Sequence, residues 1–167
     1  AFPQAMSCFP LVPFSNRIRN GRFTFRGREI QLVPNFPPEP HAIHGVGWHA
    51  AWQVASLEKD EATIEYVHRE GAWPFPYTAS QRISLTAGYL DLEMTVRNDS
   101  DEPMPPVFGF HPYFNRTPGA RLYTAARAMW ENDAHAMPSR QLAPPRLDGL
   151  DPDAIALDNN FVGWSGT

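Results

Sequence analysis

The chain has 167 residues, with 14 Lys and Arg against 18 Asp and Glu, giving a net charge of −4. It is 43% hydrophobic and 19% charged, which fits a folded domain with a core and excludes a phosphate-backbone binder, since that needs a basic stripe. A single cysteine, Cys8, excludes an internal disulfide framework; beside Phe9 in an apolar stretch it reads as inert.

The opening "AFPQAMSCFP" has no basic segment followed by an apolar one, and no run approaches the roughly 20 apolar residues that span a bilayer. The expectation is therefore a cytoplasmic protein that binds neither membrane nor nucleic acid. The chain opens without methionine and ends abruptly at "FVGWSGT", so both ends read as truncated.

In chain order, "RFTFRGREIQLV" reads as a hairpin turning at Arg26–Arg28. "AWQVASLEKDEATIEYVHRE" reads as a second, with the charged turn Glu58–Glu61. In "QRISLTA", Ile83 and Leu85 share a face. In "YLDLEMTV", Leu90, Leu92, Met94 and Val96 alternate with Asp91, Glu93 and Thr95. With Gly88 between them, these two runs form a third hairpin. "ARLYTAA" is expected to be a further short strand.

No helical period lasts three turns, and eighteen prolines, many clustered, would break helices. The expectation is one all-β domain over 1–167, an antiparallel β-sandwich. Stretches 34–48, 71–79, 103–119 and 137–160 are too long for plain hairpin loops. Long loops of that kind carry function or cover a site.

Those stretches and their edges hold the candidate chemistry. "PHAIHGVGWHAAW" carries His41, His44 and His49 with Gly45 and Gly47. The His-x-x-His spacing invites a zinc reading, but the segment is not helical and no second Cys or His cluster completes a tetrahedral site. The glycines point instead to a close backbone approach or a positive φ. "GFHPYF" places His111 ahead of a proline, which biases its backbone toward extended geometry. An imidazole with a pKa of about 6.5 can serve as acid or base near neutrality; the plain alternative is a core histidine. In "ALDNNFVGW", Asp158 fits either an Asx-turn or a site. In "FSNRIRNGRF", Arg17 follows Asn16, and a guanidinium there pairs with a carboxylate or an oxygen-rich ligand. Together with the aromatic faces of Trp48, Trp73, Phe75 and Tyr77, these groups suit a neutral sugar.

The ordered motifs "SNRIRNGRFTFRG", "HAIHGVGW", "WPFPY", "GFHPYF" and "LDNNFVGW" resemble the galactose mutarotase (aldose 1-epimerase) family from about Cys8 to Trp164. The resemblance implies a large antiparallel β-sandwich that binds a free aldose, with no metal or organic cofactor. It implies interconversion of α and β anomers by acid/base ring opening and closure. His111 would be the general acid, and His44 a catalytic partner near the ring oxygen. Asn16 and Arg17 would bind the sugar, and Asp158 would hold hydroxyls away from the reacting carbon. The expected small-molecule partner is a monosaccharide, with a homodimer kept open.

The family's catalytic glutamate follows the "LD" motif on a later strand, and this chain ends nine residues past Asp158. The 167 residues are therefore expected to be the central portion of a longer enzyme and inactive alone. Two alternatives stand beside this. A non-catalytic carbohydrate-binding or regulatory module would lack the glutamate in the full-length chain. A hexose-6-phosphate 1-epimerase would recruit Arg19 or Arg22 to the phosphate.

Overall fold

The computed structural model describes residues 6–154 and 156–164. The first five residues of the stretch read for a leader, and the last three of "FVGWSGT", lie outside them. Among the described residues there is no α-helix, and no helix long and apolar enough to cross a membrane. The chain is all-β and antiparallel, and divides into two compact units, 1–113 and 114–167.

The first unit contains ten strands: β1 (Cys8–Leu11), β2 (Arg17–Ile18), β3 (Arg22–Phe25), β4 (Arg28–Gln31), β5 (Ala42–Ile43), β6 (Gln53–Leu57), β7 (Glu61–His68), β8 (Tyr77–Thr86), β9 (Tyr89–Asn98) and β10 (Gly109–Pro112). The three expected hairpins form. β3 and β4 pair through Phe25 and Arg28, and the two turn residues Arg26 and Gly27 both have positive φ, 49° and 81°. That is the turn whose twist suits a two-residue hairpin. β6 and β7 close over Glu58–Glu61, where the Glu58 amide donates to the Glu61 carbonyl at 2.7 Å. β8 and β9 meet at Thr86 and Tyr89, with Gly88 at φ 101° in the turn.

The four-stranded sheet β6-β7-β8-β9 is two-faced, as its alternation requires. Arg82, Glu61 and Glu93 share one face, Arg82 reaching Glu61 at 3.0 Å and Glu93 at 2.7 Å. On the other face Tyr77, Ala79, Met94, Val96 and Tyr66 pack against Val12, Phe14, Ile30, Leu32, Trp73 and Phe75 to form the main core. This corrects the expectation that Trp73, Phe75 and Tyr77 line a sugar site: they are 1%, 2% and 0% exposed. An aromatic side chain buries roughly 150–250 Å², about 4–6 kcal/mol at ~25 cal/mol per Å², and the core takes that surface first.

The second unit contains β11 (Ala128–Asn132), β12 (Pro138–Leu142) and β13 (Phe161–Val162), in the order β12-β11-β13. Three stretches read as loops thus contain whole strands, β5 within 34–48, β10 within 103–119 and β12 within 137–160, and β8 begins inside the fourth, 71–79. "PSRQL" opens on a proline and does not alternate; it is tolerated because β12 is an edge strand. "ARLYTAA" is not a strand: only Leu122 makes a bridge, to Leu150.

Tyr77 leads to a stability prediction. Burial pushes its phenol well above the ordinary value, and among the described residues its hydroxyl has no hydrogen-bond partner. An unsatisfied buried polar group costs about 1–3 kcal/mol. Tyr77→Phe is therefore expected to leave the urea midpoint unchanged or raise it. A loss above about 1 kcal/mol would show that the hydroxyl is satisfied.

Candidate active site

The site of the first unit is built where two short pairs, β2–β5 and β1–β10, bring distant segments together. β2 and β5 pair Arg17 with Ile43 and Ile18 with Ala42. Just beyond this pairing, Asn16 and His44 bond reciprocally. The His44 amide donates to the Asn16 carbonyl at 3.0 Å, and the Asn16 amide donates to His44 Nδ1 at 3.1 Å. Both residues are in the left-handed region, φ 61° and 59°. That conformation is uncommon outside glycine, although Asn and His are enriched there. At the other end of β2 the device recurs, with the Asn20 amide donating to His41 Nδ1 at 3.1 Å. His41 is 3% exposed and is the core histidine of the three, whereas His44 is half-buried and His49 exposed.

The two glycines after His44 are dictated by Val12. The Val46 and Gly47 amides both donate to the Val12 carbonyl, at 3.0 and 2.9 Å. A Cβ on Gly45 (φ 71°) would stand 2.2 Å from that oxygen, and one on Gly47 would stand 2.3 Å from Val12 Cγ1. The close approach expected of "HGVG" is thus an approach to the protein's own backbone.

β1 and β10 set Phe9 directly opposite His111. Their rings stack at 4.6 Å between centroids and 12° between planes. Tyr113 lies tilted at 5.0 Å from the same imidazole. Phe9 also belongs to a small buried cluster with Leu11, Ile43 and Trp48, and Trp48 meets His44 edge-on at 5.7 Å. The result is that the His44 and His111 rings lie 5.7 Å apart at 76°. His111 is therefore a strand residue aimed by its cross-strand neighbour, not a loop residue. Among the described residues its Nδ1 is buried without a hydrogen-bond partner, and such atoms call for a functional explanation.

The electrostatics follow from this packing. Burial, with the charges of His111 and Arg17 adding to it, pushes the His44 pKa down to about 4. At neutral pH its Nδ1 accepts the Asn16 amide, so the proton sits on Nε2 and the ring offers one N–H donor. Arg17 is fixed by Glu39, with Nε to Oε2 at 2.9 Å. Burial alone would raise the Glu39 carboxyl, but the Arg17 hydrogen bond and charge more than offset it and hold the carboxyl below its ordinary range. The Arg17 amide donates to Asn16 Oδ1 at 2.8 Å.

Asn16, Arg17, His44 and His111 thus gather within the first unit. Asp158 belongs to the second, where its side chain is exposed and its carbonyl accepts from Asn132 Nδ2. Arg22 is occupied on the surface of β3, with Gln31 at 3.2 Å and Glu29 at 3.9 Å. Cys8 is half-buried on β1, and burial pushes its thiol up, away from the reactive thiolate. Sequence reasoning missed Glu39, which fixes Arg17, and Asn35, whose side chain bonds on both sides of His44. Their only signal was being the polar residues of the proline-rich "PNFPPEP".

The sequence model of the aldose 1-epimerase family matches residues 2–166. Over 165 residues the chain is 37% identical to the uncharacterized protein YphB of Escherichia coli K12, covering 96% of this chain and 56% of that protein. A solved structure of a putative aldose 1-epimerase from Escherichia coli K12 superposes with a TM-score of 0.86 at 36% identity, over 99% of this chain and 58% of that one. A galactose mutarotase-like protein from Clostridium acetobutylicum superposes at 0.73 and 21% identity, over 86% and 47%. The fold class is therefore the galactose mutarotase-like β-sandwich. The chain belongs to the aldose 1-epimerase family, and spans about half the length of these relatives.

The state of His44 is directly measurable. Its imidazole NMR signals should titrate with a midpoint of about 4. The unfolded chain takes up this proton at about 6.5, so the stability that His44 contributes is complete above that pH and is lost as pH falls toward 4. A midpoint near 6.5 in the folded protein would contradict the buried, neutral state.

Proposed function

We propose that the full-length protein is an aldose 1-epimerase that interconverts the α and β anomers of a free hexose of the galactose or glucose type. The observation carrying this reading is the half-buried pair His44 and His111, 5.7 Å apart, beside an arginine already held in place. Anomer exchange needs a proton delivered to the ring oxygen as the C1–O bond breaks, while the C1 hydroxyl proton is removed. Rotation about C1–C2 then presents the other face of the aldehyde, and reclosure runs the two transfers in reverse.

In this reading His111 is the general acid toward the ring oxygen. His44, neutral with its proton on Nε2, donates a hydrogen bond to the oxygens at that edge without competing for the proton. A pKa near 4 suits it to that task. Asn16, Arg17 and Asp158 are proposed as hydroxyl-binding residues. The base for the C1 hydroxyl is assigned to no residue of 1–167. Neither metal nor organic cofactor enters any step.

For the phosphorylated-sugar alternative, the pairing of Arg22 with Glu29 and Gln31 speaks for an ordinary surface position. Calorimetry on the full-length protein should give tighter binding for a free hexose than for its 6-phosphate. The opposite order would transfer the proposal to phosphorylated substrates.

Polarimetry tests the roles. His111→Asn is expected to lower kcat by about 10²–10⁴, the usual worth of general acid catalysis. Arg17→Ala should act mainly on KM, as loss of uniform binding does. An unchanged rate in His111→Asn would remove the proposed acid.

A further inference from the structure

The segment "PNFPPEP" has no regular structure, yet two of its side chains reach the site. Glu39 holds Arg17, as described. Asn35 does more. Its Oδ1 accepts the Ile43 amide at 2.8 Å, and its Nδ2 donates to the Ile43 carbonyl at 2.7 Å and the Gly45 carbonyl at 2.8 Å. One amide thus binds the residues immediately before and after His44. The Gly45 carbonyl also accepts from Trp48 Nε1 at 3.0 Å, so both of its lone pairs have donors.

We infer that Asn35 is a positioning residue for His44: by bonding Ile43 and Gly45 it holds the intervening left-handed turn, and so sets where His44 Nε2 points. The inference rests on the proposed role of His44 in anomer exchange.

A non-glycine residue in the left-handed region persists only where surrounding structure fixes it. The two-residue β2–β5 pairing, the exchange with Asn16 and the Val12 carbonyl each restrain the turn, and Asn35 adds the bonds to the two residues that flank His44. Primary amides suit the task because a single planar group both donates twice and accepts. Aspartate cannot replace it, since a carboxylate would face two carbonyl oxygens. Alanine would leave the Ile43 amide and both carbonyls without this partner. The Asn35 side chain bonds backbone atoms of Ile43 and Gly45, so its action on the imidazole passes through the backbone.

Ring placement decides the environment of His44, which is faced by His111 and Arg17. Release of the turn would let the imidazole move outward into water and away from those charges. Geometry errors of about 1 Å in a catalytic group can cost roughly a hundredfold in rate.

The test compares Asn35→Ala with Ile30→Val, a core control, in the full-length protein. Two readouts are taken, the His44 titration by NMR and polarimetric kcat and KM. Asn35→Ala should raise the His44 midpoint by at least one pH unit toward 6.5 and lower kcat about tenfold to a hundredfold, while Ile30→Val moves neither. A folded Asn35→Ala with an unshifted His44 midpoint would overturn the inference. If the wild type has no mutarotase activity, the proposed reaction fails, but the NMR shift still decides the role of Asn35 in placing His44. If Asn35→Ala does not fold, hydrogen exchange on the wild type decides: the Asn35 side-chain amide protons should exchange slowly, and exchange as fast as that of an exposed asparagine would overturn the inference.

Discussion

The reciprocal hydrogen bonds between Asn16 and His44 hold the candidate site together. Each residue's amide is donated to the other, one to a carbonyl and one to a ring nitrogen. That exchange joins segments 28 residues apart and fixes the tautomer of the imidazole in the same act. Because Nδ1 accepts the Asn16 amide, the proton is left on Nε2; because the ring is half-buried, it stays neutral. The chemistry proposed for His44 is a consequence of how the chain closes at this point.

Around that exchange the packing leaves little freedom. The Val12 carbonyl receives two amides from the turn, and the two glycines are the residues that let the backbone come so near. From the other side, the pairing of Phe9 with His111 turns a cross-strand neighbour into a stacking platform. The same small cluster that contains Phe9 also contains Ile43 and Trp48, so the placement of His111 and that of His44 share one set of buried contacts. Moving either imidazole would disturb the other.

Much of this was legible in the sequence. The alternation of "YLDLEMTV", the charged turn Glu58–Glu61, the turn at Arg26–Arg28 and Gly88 marked the three hairpins because strand period and turn chemistry are local properties. The glycines of "HGVG" announced a close approach, though not that Val12 was its object. What failed was non-local. Trp73, Phe75 and Tyr77 were read as sugar-facing because a sequence does not tell a buried aromatic from an exposed one when prolines break the pattern. β5, β10 and β12 escaped because each is held by a partner strand distant in sequence or placed at an edge. Asn35 and Glu39 carried no motif, since a residue that positions another needs only a suitable reach. The motifs in "SNRIRNG", "HAIHGVGW" and "GFHPYF", by contrast, named residues that do gather in the first unit.

The central claim is that His44 and His111 face one small sugar ring beside Arg17. A crystal structure of the full-length protein with a 1,5-anhydrohexitol, which keeps the ring oxygen but lacks the C1 hydroxyl and cannot react, tests it most directly. The ring oxygen is expected within about 2.6–3.2 Å of an imidazole nitrogen of His111, with His44 Nε2 donating to an oxygen of the same ligand. A ligand seated elsewhere, or seated here with both imidazoles turned away from it, would rule out the shared role of His44 and His111.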